Sequence, residues 1–307
     1  MRYGLPYKGS KNSIAKWIVD ELPKADVFVD LFCGGCAVTH RALLSGKYKQ
    51  FIINDIDGRL PKLFLECAHG KHTIKNHPEW ISREEFFARK DNDAYIALVW
   101  SFGNNGKDYL YAKDLEEFKK ALHYAVFFND ISLLHKGGIF VEDTDETNIM
   151  KRYSFFKKQL VQMKNEKVYC ENLTRAIEIE RLQSLQSLQS YTVDYSEVKI
   201  PEGALIYCDI PYNSTNCGKY QGFDHERFYE WAKIQKNIFI SEYEMPEDFI
   251  PVAWHEKTVL SAANGNAYKN IEKIFTNRIT YEAQPRDVQQ MQHLNFAEQL
   301  DIFSIDI

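Results

Sequence analysis

The sequence contains no apolar run near the roughly 20 residues that a membrane-spanning helix needs. Its start, Met1-Arg2-Tyr3-Gly4-Leu5-Pro6, holds no apolar stretch of signal-peptide length. A cytoplasmic protein away from membranes is the expectation. No single charge dominates: Lys plus Arg number 38 against 43 Asp plus Glu, a net charge of −5. That balance excludes a histone-like protein that binds nucleic acid by bulk charge, but leaves room for a local basic surface. Glycine and proline are few, 15 and 9 in 307 residues, which excludes a collagen-like chain. Cysteine is also sparse. Six residues, at 33, 36, 67, 170, 208 and 217, are too spread out for a disulfide framework. Cys33-Gly34-Gly35-Cys36 has the CxxC spacing of a redox or zinc site. There is no second CxxC, and the Cys208 to Cys217 spacing does not complete a zinc set, so no metal is expected.

What is present is an ordinary globular composition, 45% hydrophobic and 26% charged, long enough for one large domain or two of usual size. Asp26 to Phe32 reads as a short strand that ends at the Cys-Gly-Gly-Cys turn, and Ala37 to Leu44 has helical spacing after it. Gln50 to Asp55 is a second strand and Arg59 to Cys67 a second helix. Two strand-helix units in succession imply a parallel sheet. After about residue 70 the chain becomes mostly polar, with helical pieces near 83–100, 114–134 and 172–190. The Leu-Gln-Ser repeat over 182–190 is expected to continue the last of them. Lys151 to Lys167 carries six basic residues, among them Lys151, Arg152, Lys157 and Lys158, against one acid, with Tyr153, Phe155 and Phe156 interleaved. Strands return at Tyr191-Thr192-Val193 and Ala204 to Cys208, then at 236–241 and 252–260, with a helix over 223–233. Residues 1–69 and 190–280 therefore read as one discontinuous α/β domain. It is split by an insert, 70–189, too long for an ordinary loop, and followed by an acidic extension, 281–307.

Two places carry chemistry. A glycine turn between a strand and a helix lets a ligand approach the backbone near a helix N-terminus. An acid at the end of the next strand can accept hydrogen bonds from ribose hydroxyls, and Asp55 lies about 20 residues after Gly34-Gly35. The pair points to an adenosine-containing cofactor. A tight structural turn beside a solvent-facing Asp is the alternative. The third glycine of a dinucleotide fingerprint is missing, which speaks against a nicotinamide oxidoreductase. The second place is Asp209-Ile210-Pro211-Tyr212, just past a buried strand. Asp209 and the Ile210 carbonyl are two acceptors, Pro211 fixes the turn, and Tyr212 offers a ring face. Together they suit a flat base with an exocyclic amino group, whose nitrogen can then attack an electrophilic methyl group in line. A strand ending in a proline turn with a capping Asp is the plainer reading.

Taken together, these residues resemble the Dam-type (D12 class) DNA adenine-N6 methyltransferases. Pro6-Tyr7-Lys8-Gly9-Ser10-Lys11 is similar to the family's N-terminal cofactor motif. Phe32-Cys33-Gly34-Gly35-Cys36-Ala37-Val38 is similar to its FxGxG motif, Asn54-Asp55-Ile56-Asp57 to its ribose-binding acidic motif, and Tyr207 to Tyr212 to its catalytic DPPY. The resemblance implies a Rossmann-like S-adenosylmethionine-dependent methyltransferase sheet with a mainly helical inserted target-recognition domain. It implies a bacterial or phage-encoded enzyme, serving restriction-modification or another marking role, that methylates N6 of adenine in double-stranded DNA. By the same resemblance, Tyr7, Lys11, Asp30, Phe32, Cys33, Gly34, Gly35, Asp55 and Asp209 hold the cofactor. Asp209, Ile210, Pro211 and Tyr212 form the catalytic tetrapeptide, and Asp194, on the strand before Asp209, lines the adenine pocket with Tyr212. The DNA is expected to meet Asn104 and Asn105, which can read base edges, and the basic residues Lys151, Arg152, Lys157 and Lys158. Two departures stand out. Ile210 replaces the first proline of DPPY, which loosens the turn and points to lower turnover. Cys36 replaces the second glycine of FxGxG. The competing readings are a methyltransferase for RNA or a protein amide, and a non-catalytic relative weakened at Ile210.

Overall fold

A computed structural model describes residues 2–72, 79–160, 187–212, 222–260 and 267–285. The chain groups into two compact units. One comprises Ile14–Cys33, Arg41–Gly58 and Gln186–Ile307, the other Met1–Ser13, Gly34–His40 and Arg59–Leu185. Among the described residues, the α-helices in chain order are α1 (Ala15–Glu21), α2 (Ala37–Leu43), α3 (Arg59–Ala68), α4 (Arg83–Arg89), α5 (Ala94–Val99), α6 (Glu116–Phe128), α7 (Ser132–Lys136), α8 (Ile149–Gln159), α9 (His225–Lys233) and α10 (Arg278–Glu282). The strands are β1 (Val27–Asp30), β2 (Gln50–Asn54), β3 (Leu188–Tyr191), β4 (Leu205–Cys208), β5 (Ile238–Glu242), β6 (Phe249–Leu260) and β7 (Ala267–Asn277).

The first unit holds the sheet, in the order β3-β2-β1-β4-β5-β7-β6. Strands β1 to β5 run parallel to one another. β7 runs antiparallel to both β5 and β6. The central strands are mostly apolar, as strands covered on both faces are, with polar residues such as Asp30 and Glu242 at their C-terminal ends. Every residue of β4 and β5 is buried. Phe228, Tyr229 and Ala232 of α9 join Val29, Ile206 and Ile240 of the strands in one core cluster. α9 starts where Asp224 accepts from the Arg227 N–H, an N-cap that fixes the helix entry. Pro251 falls at a register shift in β6, the last strand of the order, where a missing N–H does not interrupt an inner ladder. β7 was not anticipated. Its polar and charged sequence, Tyr268-Lys269-Asn270-Ile271-Glu272-Lys273, hides the strand pattern.

The other unit is helical in its described residues, apart from one isolated bridge between Ser101 and Tyr109. The helical expectation over 83–100 resolves into α4 and α5. A capping box between Ser82 and Glu85 starts α4, and Asp93 caps α5 afresh, so the two are separate. The expected helix over 114–134 stops at Asn129, whose left-handed backbone (φ 56°) ends α6 before α7 begins. The Leu-Gln-Ser repeat is corrected at its end. Leu188–Tyr191 is the edge strand β3 beside β2, not a helix, since pairing with Phe51 to Asn54 overrides the weak local periodicity. Residues 182–186 of the repeat, 172–186 of the expected helix, Lys164 and Lys167 of the basic stretch, and 286–307 of the acidic extension lie outside the described residues.

Candidate functional site

Because β1, β2, β4 and β5 are parallel, their C-terminal ends share one edge of the sheet, where open α/β sheets bind ligands. The ladder continues past β1: Leu31 N–H donates to the Tyr207 carbonyl at 3.1 Å and Cys33 N–H to the Asn54 carbonyl at 2.9 Å. Phe32 and Cys33, Asp55, and Asp209 to Tyr212 therefore leave neighbouring strands at the same edge. Asp30 is buried at the end of β1, and Asp55 is buried just past β2, its Oδ1 accepting from the Asp57 N–H at 2.9 Å. The next residue, Ile56, is 68% exposed. A buried carboxylate beside an exposed branched apolar side chain suits a nucleoside, with hydroxyls for the acid and a flat base for the isoleucine. Ile56 was not singled out from sequence, where an apolar residue after a strand attracts no notice.

Asn54, which opens the same motif, has a structural part that the motif does not specify. It is buried, and its Nδ2 donates to the Leu31 and Val193 carbonyls at 3.1 Å each, while its Oδ1 accepts from the Val193 N–H at 3.1 Å. It ties the exit of β1 to the segment after β3. Phe32 packs its ring among Tyr195, Phe223 and Phe228, with centroids 5.4 to 5.7 Å away.

The tetrapeptide Asp209 to Tyr212 is gripped from several sides. Ile210 is buried in the core cluster with Val29 and Phe228, so its side chain anchors the turn that a proline would otherwise stiffen. The Pro211 carbonyl accepts from His225 Nε2 at 2.7 Å, a contact from the first turn of α9 that the sequence did not reveal. The Tyr212 hydroxyl donates to Glu272. The Cys208 thiol is pushed well above its usual range by burial and then by the Asp30 and Asp209 carboxylates, so it is no nucleophile.

Asp194 needs correction. It does not lie on a strand but precedes a short 3-10 turn, Tyr195–Glu197, and accepts from the Ser196 N–H. Its carboxylate also takes both Arg227 guanidinium nitrogens at 3.0 and 2.9 Å, a paired fork.

In the helical unit, the N-terminal motif meets the glycine turn. Leu5 N–H donates to the Gly35 carbonyl at 2.7 Å. A Cβ on Gly35 would stand 2.7 Å from Tyr7 Cβ, so only glycine admits this approach. Lys11 is buried in the 3-10 turn that follows. Cys36 has φ 56°, left-handed backbone that glycine favours, and is fully buried. The departure from FxGxG thus keeps a glycine's backbone and adds a side chain that costs about 1–2 kcal/mol in conformation. His40 on α2 accepts the Gly4 N–H at Nδ1, 3.0 Å away, which requires a neutral ring. Burial lowers its pKa to about 4. The unfolded chain binds that proton first, so stability is present above pH 6.5 and is lost as pH falls toward 4. The loss is expected to reach about 3 kcal/mol, the scale of that shift. Urea midpoints of wild type and His40→Gln between pH 7 and 4 check it: the two curves should converge as pH falls.

The loop Ser101 to Gly106 spends its asparagines internally. Asn104 donates to the Leu98 carbonyl at 2.9 Å, and Asn105 bonds Asp108 and the Lys107 N–H. On α8, Arg152 donates to the Glu146 and Val126 carbonyls at 2.9 Å each, and Lys151 lies 3.7 Å from Glu146. Lys157 and Lys158 are exposed in its last turn.

Among the described residues, no helix is long and apolar enough to cross a membrane. No curated protein matches the chain. Residues 7–276, which include the four motifs apart from Pro6 and the sheet apart from Asn277, match the family described as D12 class N6 adenine-specific DNA methyltransferase. The match favours DNA adenine over RNA, a protein amide or a nicotinamide substrate. With one seven-stranded sheet and the Asp209 to Tyr212 tetrapeptide at its strand ends, the chain belongs to the D12 class of N6 adenine-specific DNA methyltransferases and methylates adenine N6 in DNA.

Proposed function

We propose that the methyl donor is S-adenosylmethionine and that the acceptor is an adenine flipped out of duplex DNA. S-adenosylmethionine supplies the electrophilic methyl group on a sulfonium. Asp55 accepts from the ribose hydroxyls and Ile56 covers the adenine of the cofactor, while Tyr7, Lys11, Asp30, Phe32, Cys33, Gly34 and Gly35 shape the rest of its site. Asp209 and the Ile210 carbonyl accept from the two N6 protons of the target base. This draws electron density onto N6, orients its lone pair, and leaves a carboxylate at hand to take the proton that N6 releases. Tyr212 stacks on the base. The observation that carries this reading is the placement of Asp55 and Asp209 to Tyr212 past the C-terminal ends of parallel strands of one sheet. The test is transfer of labelled methyl from S-adenosylmethionine to duplex DNA, RNA and protein in parallel. Label on DNA adenine alone is expected, and label on RNA or protein instead contradicts the reading.

Residues 70–189 serve as the target-recognition region in this proposal, with Lys157 and Lys158 on phosphates. Asp194, committed to Arg227, shapes the adenine pocket from the segment after β3, and Asn104 and Asn105 hold a loop whose shape meets the groove. Replacing Lys157 and Lys158 together by Ala is expected to reduce the slope of log affinity against log salt by about 1–2, since each phosphate contact releases about one counterion. Fluorescence anisotropy with duplex DNA at 50 to 300 mM salt measures it. An unchanged slope would remove α8 from the DNA surface.

A further inference from the structure

The far end of the Tyr212 ring is held. Its hydroxyl donates to Glu272 Oε1. Glu272 is 1% exposed and sits on β7, where its neighbour Lys273 lies opposite Glu242 at the end of β5. The hydroxyl contact fixes the tilt of the ring axis but not rotation about it. Tyr243, the residue after β5, opposes that rotation. Its ring meets Tyr212 edge-on, with centroids 4.6 Å apart and planes at 71°. Tyr243 is itself held by its N–H, which donates to the buried Glu242 carboxylate at 2.8 Å. Burial, then the Asp209 and Glu272 carboxylates, push the Tyr212 phenol well above its usual range, so it remains a donor at any working pH. Placing a carboxylate in a core strand is costly unless its hydrogen bonds repay desolvation, and a Leu or Val would fill the same place on β7 without that cost.

We propose that Glu272 is a positioning residue: through the Tyr212 hydroxyl it presets the ring against which the target adenine stacks, with Tyr243 as edge support. The inference rests on the reading of Tyr212 as the stacking residue. A preset ring spares the loss of side-chain freedom when the base arrives, which is worth about 0.5–1.5 kcal/mol, or about 3- to 10-fold in rate. No contact from Glu272 to the base itself is required.

The experiment is a double-mutant cycle on the single-turnover rate of methyl transfer to unmethylated plasmid DNA, with KM for DNA and S-adenosylmethionine affinity measured alongside. Glu272→Ala and Tyr212→Phe should each lower the transfer rate about 3- to 10-fold, with KM and cofactor affinity within about twofold. The double variant should be no slower than either single one. Glu272→Gln, which keeps an acceptor for the phenol, should restore the rate to within about twofold. Equal damage from Glu272→Ala in the Tyr212→Phe background would mean that Glu272 acts on folding alone and would overturn the proposal. So would wild-type rates in Glu272→Ala when Tyr212→Ala is inactive. Wild-type activity in Tyr212→Ala would instead remove the stacking reading itself. Should Glu272→Ala not fold, Tyr212→Phe carries the test alone, and an unchanged rate there overturns the proposal.

Discussion

Asp209→Ala is expected to lower methyl transfer by about 10²- to 10³-fold, the scale for losing one preorganised polar group that acts on the reacting centre. Asp209 follows β4 directly, and its neighbours on both sides, Cys208 and Ile210, are buried. In the proposed mechanism, a carboxylate held there accepts from the amino group in surroundings that strengthen the bond and leaves N6 electron-rich. Alanine removes the acceptor and the nearest base for the released proton. Cofactor affinity should fall far less than transfer, because Asp209 is one of many residues proposed for the cofactor and Asp55 and Ile56 depart from a different strand, β2. Asp209→Asn keeps one acceptor oxygen without the charge and should fall between the two. Stopped assays with labelled S-adenosylmethionine and a calorimetric titration separate the effects. Transfer by Asp209→Ala within about tenfold of wild type would show that the carboxylate is not the principal acceptor.

The second large effect concerns stability. Gly4→Ala is expected to cost about 2–5 kcal/mol, combining about 1–2 for left-handed backbone and about 1–3 for overpacking. Gly4 has φ 69°, and a Cβ there would stand 2.4 Å from the Gly35 carbonyl oxygen and 2.6 Å from the Ala37 nitrogen. Both are backbone atoms, and the Gly35 carbonyl already accepts from Leu5. Relief would have to come from moving the glycine turn itself. Gly9 is the control: its φ is 83°, but a Cβ there meets nothing within 4 Å. Gly9→Ala should therefore cost only the conformational part, about 1–2 kcal/mol. Urea unfolding of both variants decides the point, and equal midpoints would show that the close approach does not persist in solution.

Why was so much of this readable in advance? The motif segments are local. Phe32 to Cys36 and Tyr207 to Tyr212 each join a strand end to a turn, and such junctions depend on residues adjacent in sequence. The partners that hold them are not local. Glu272 reaches Tyr212 across 60 positions and His225 reaches Pro211 across 14. Asn54 bonds Val193 across 139. None of these residues stands out by type, because a polar residue on a strand reads as solvent-facing until its neighbours are known. β7 was hidden for the same reason, since its buried Glu272 breaks the apolar pattern. Asp194 was misread because a polar residue after β3 was taken as part of the strand, whereas its side chain caps a 3-10 turn and pairs with Arg227. The type of Asn104 and Asn105 suits base reading, but only the structure shows that their side chains also hold their own loop.

Methylation mapping of DNA from a host that lacks adenine methylation and expresses this chain tests the central claim most directly. The account predicts N6-methyladenine within a defined sequence context, absent when the host expresses Asp209→Ala at equal level. Methylation on cytosine, or an adenine pattern unchanged by Asp209→Ala, would contradict it.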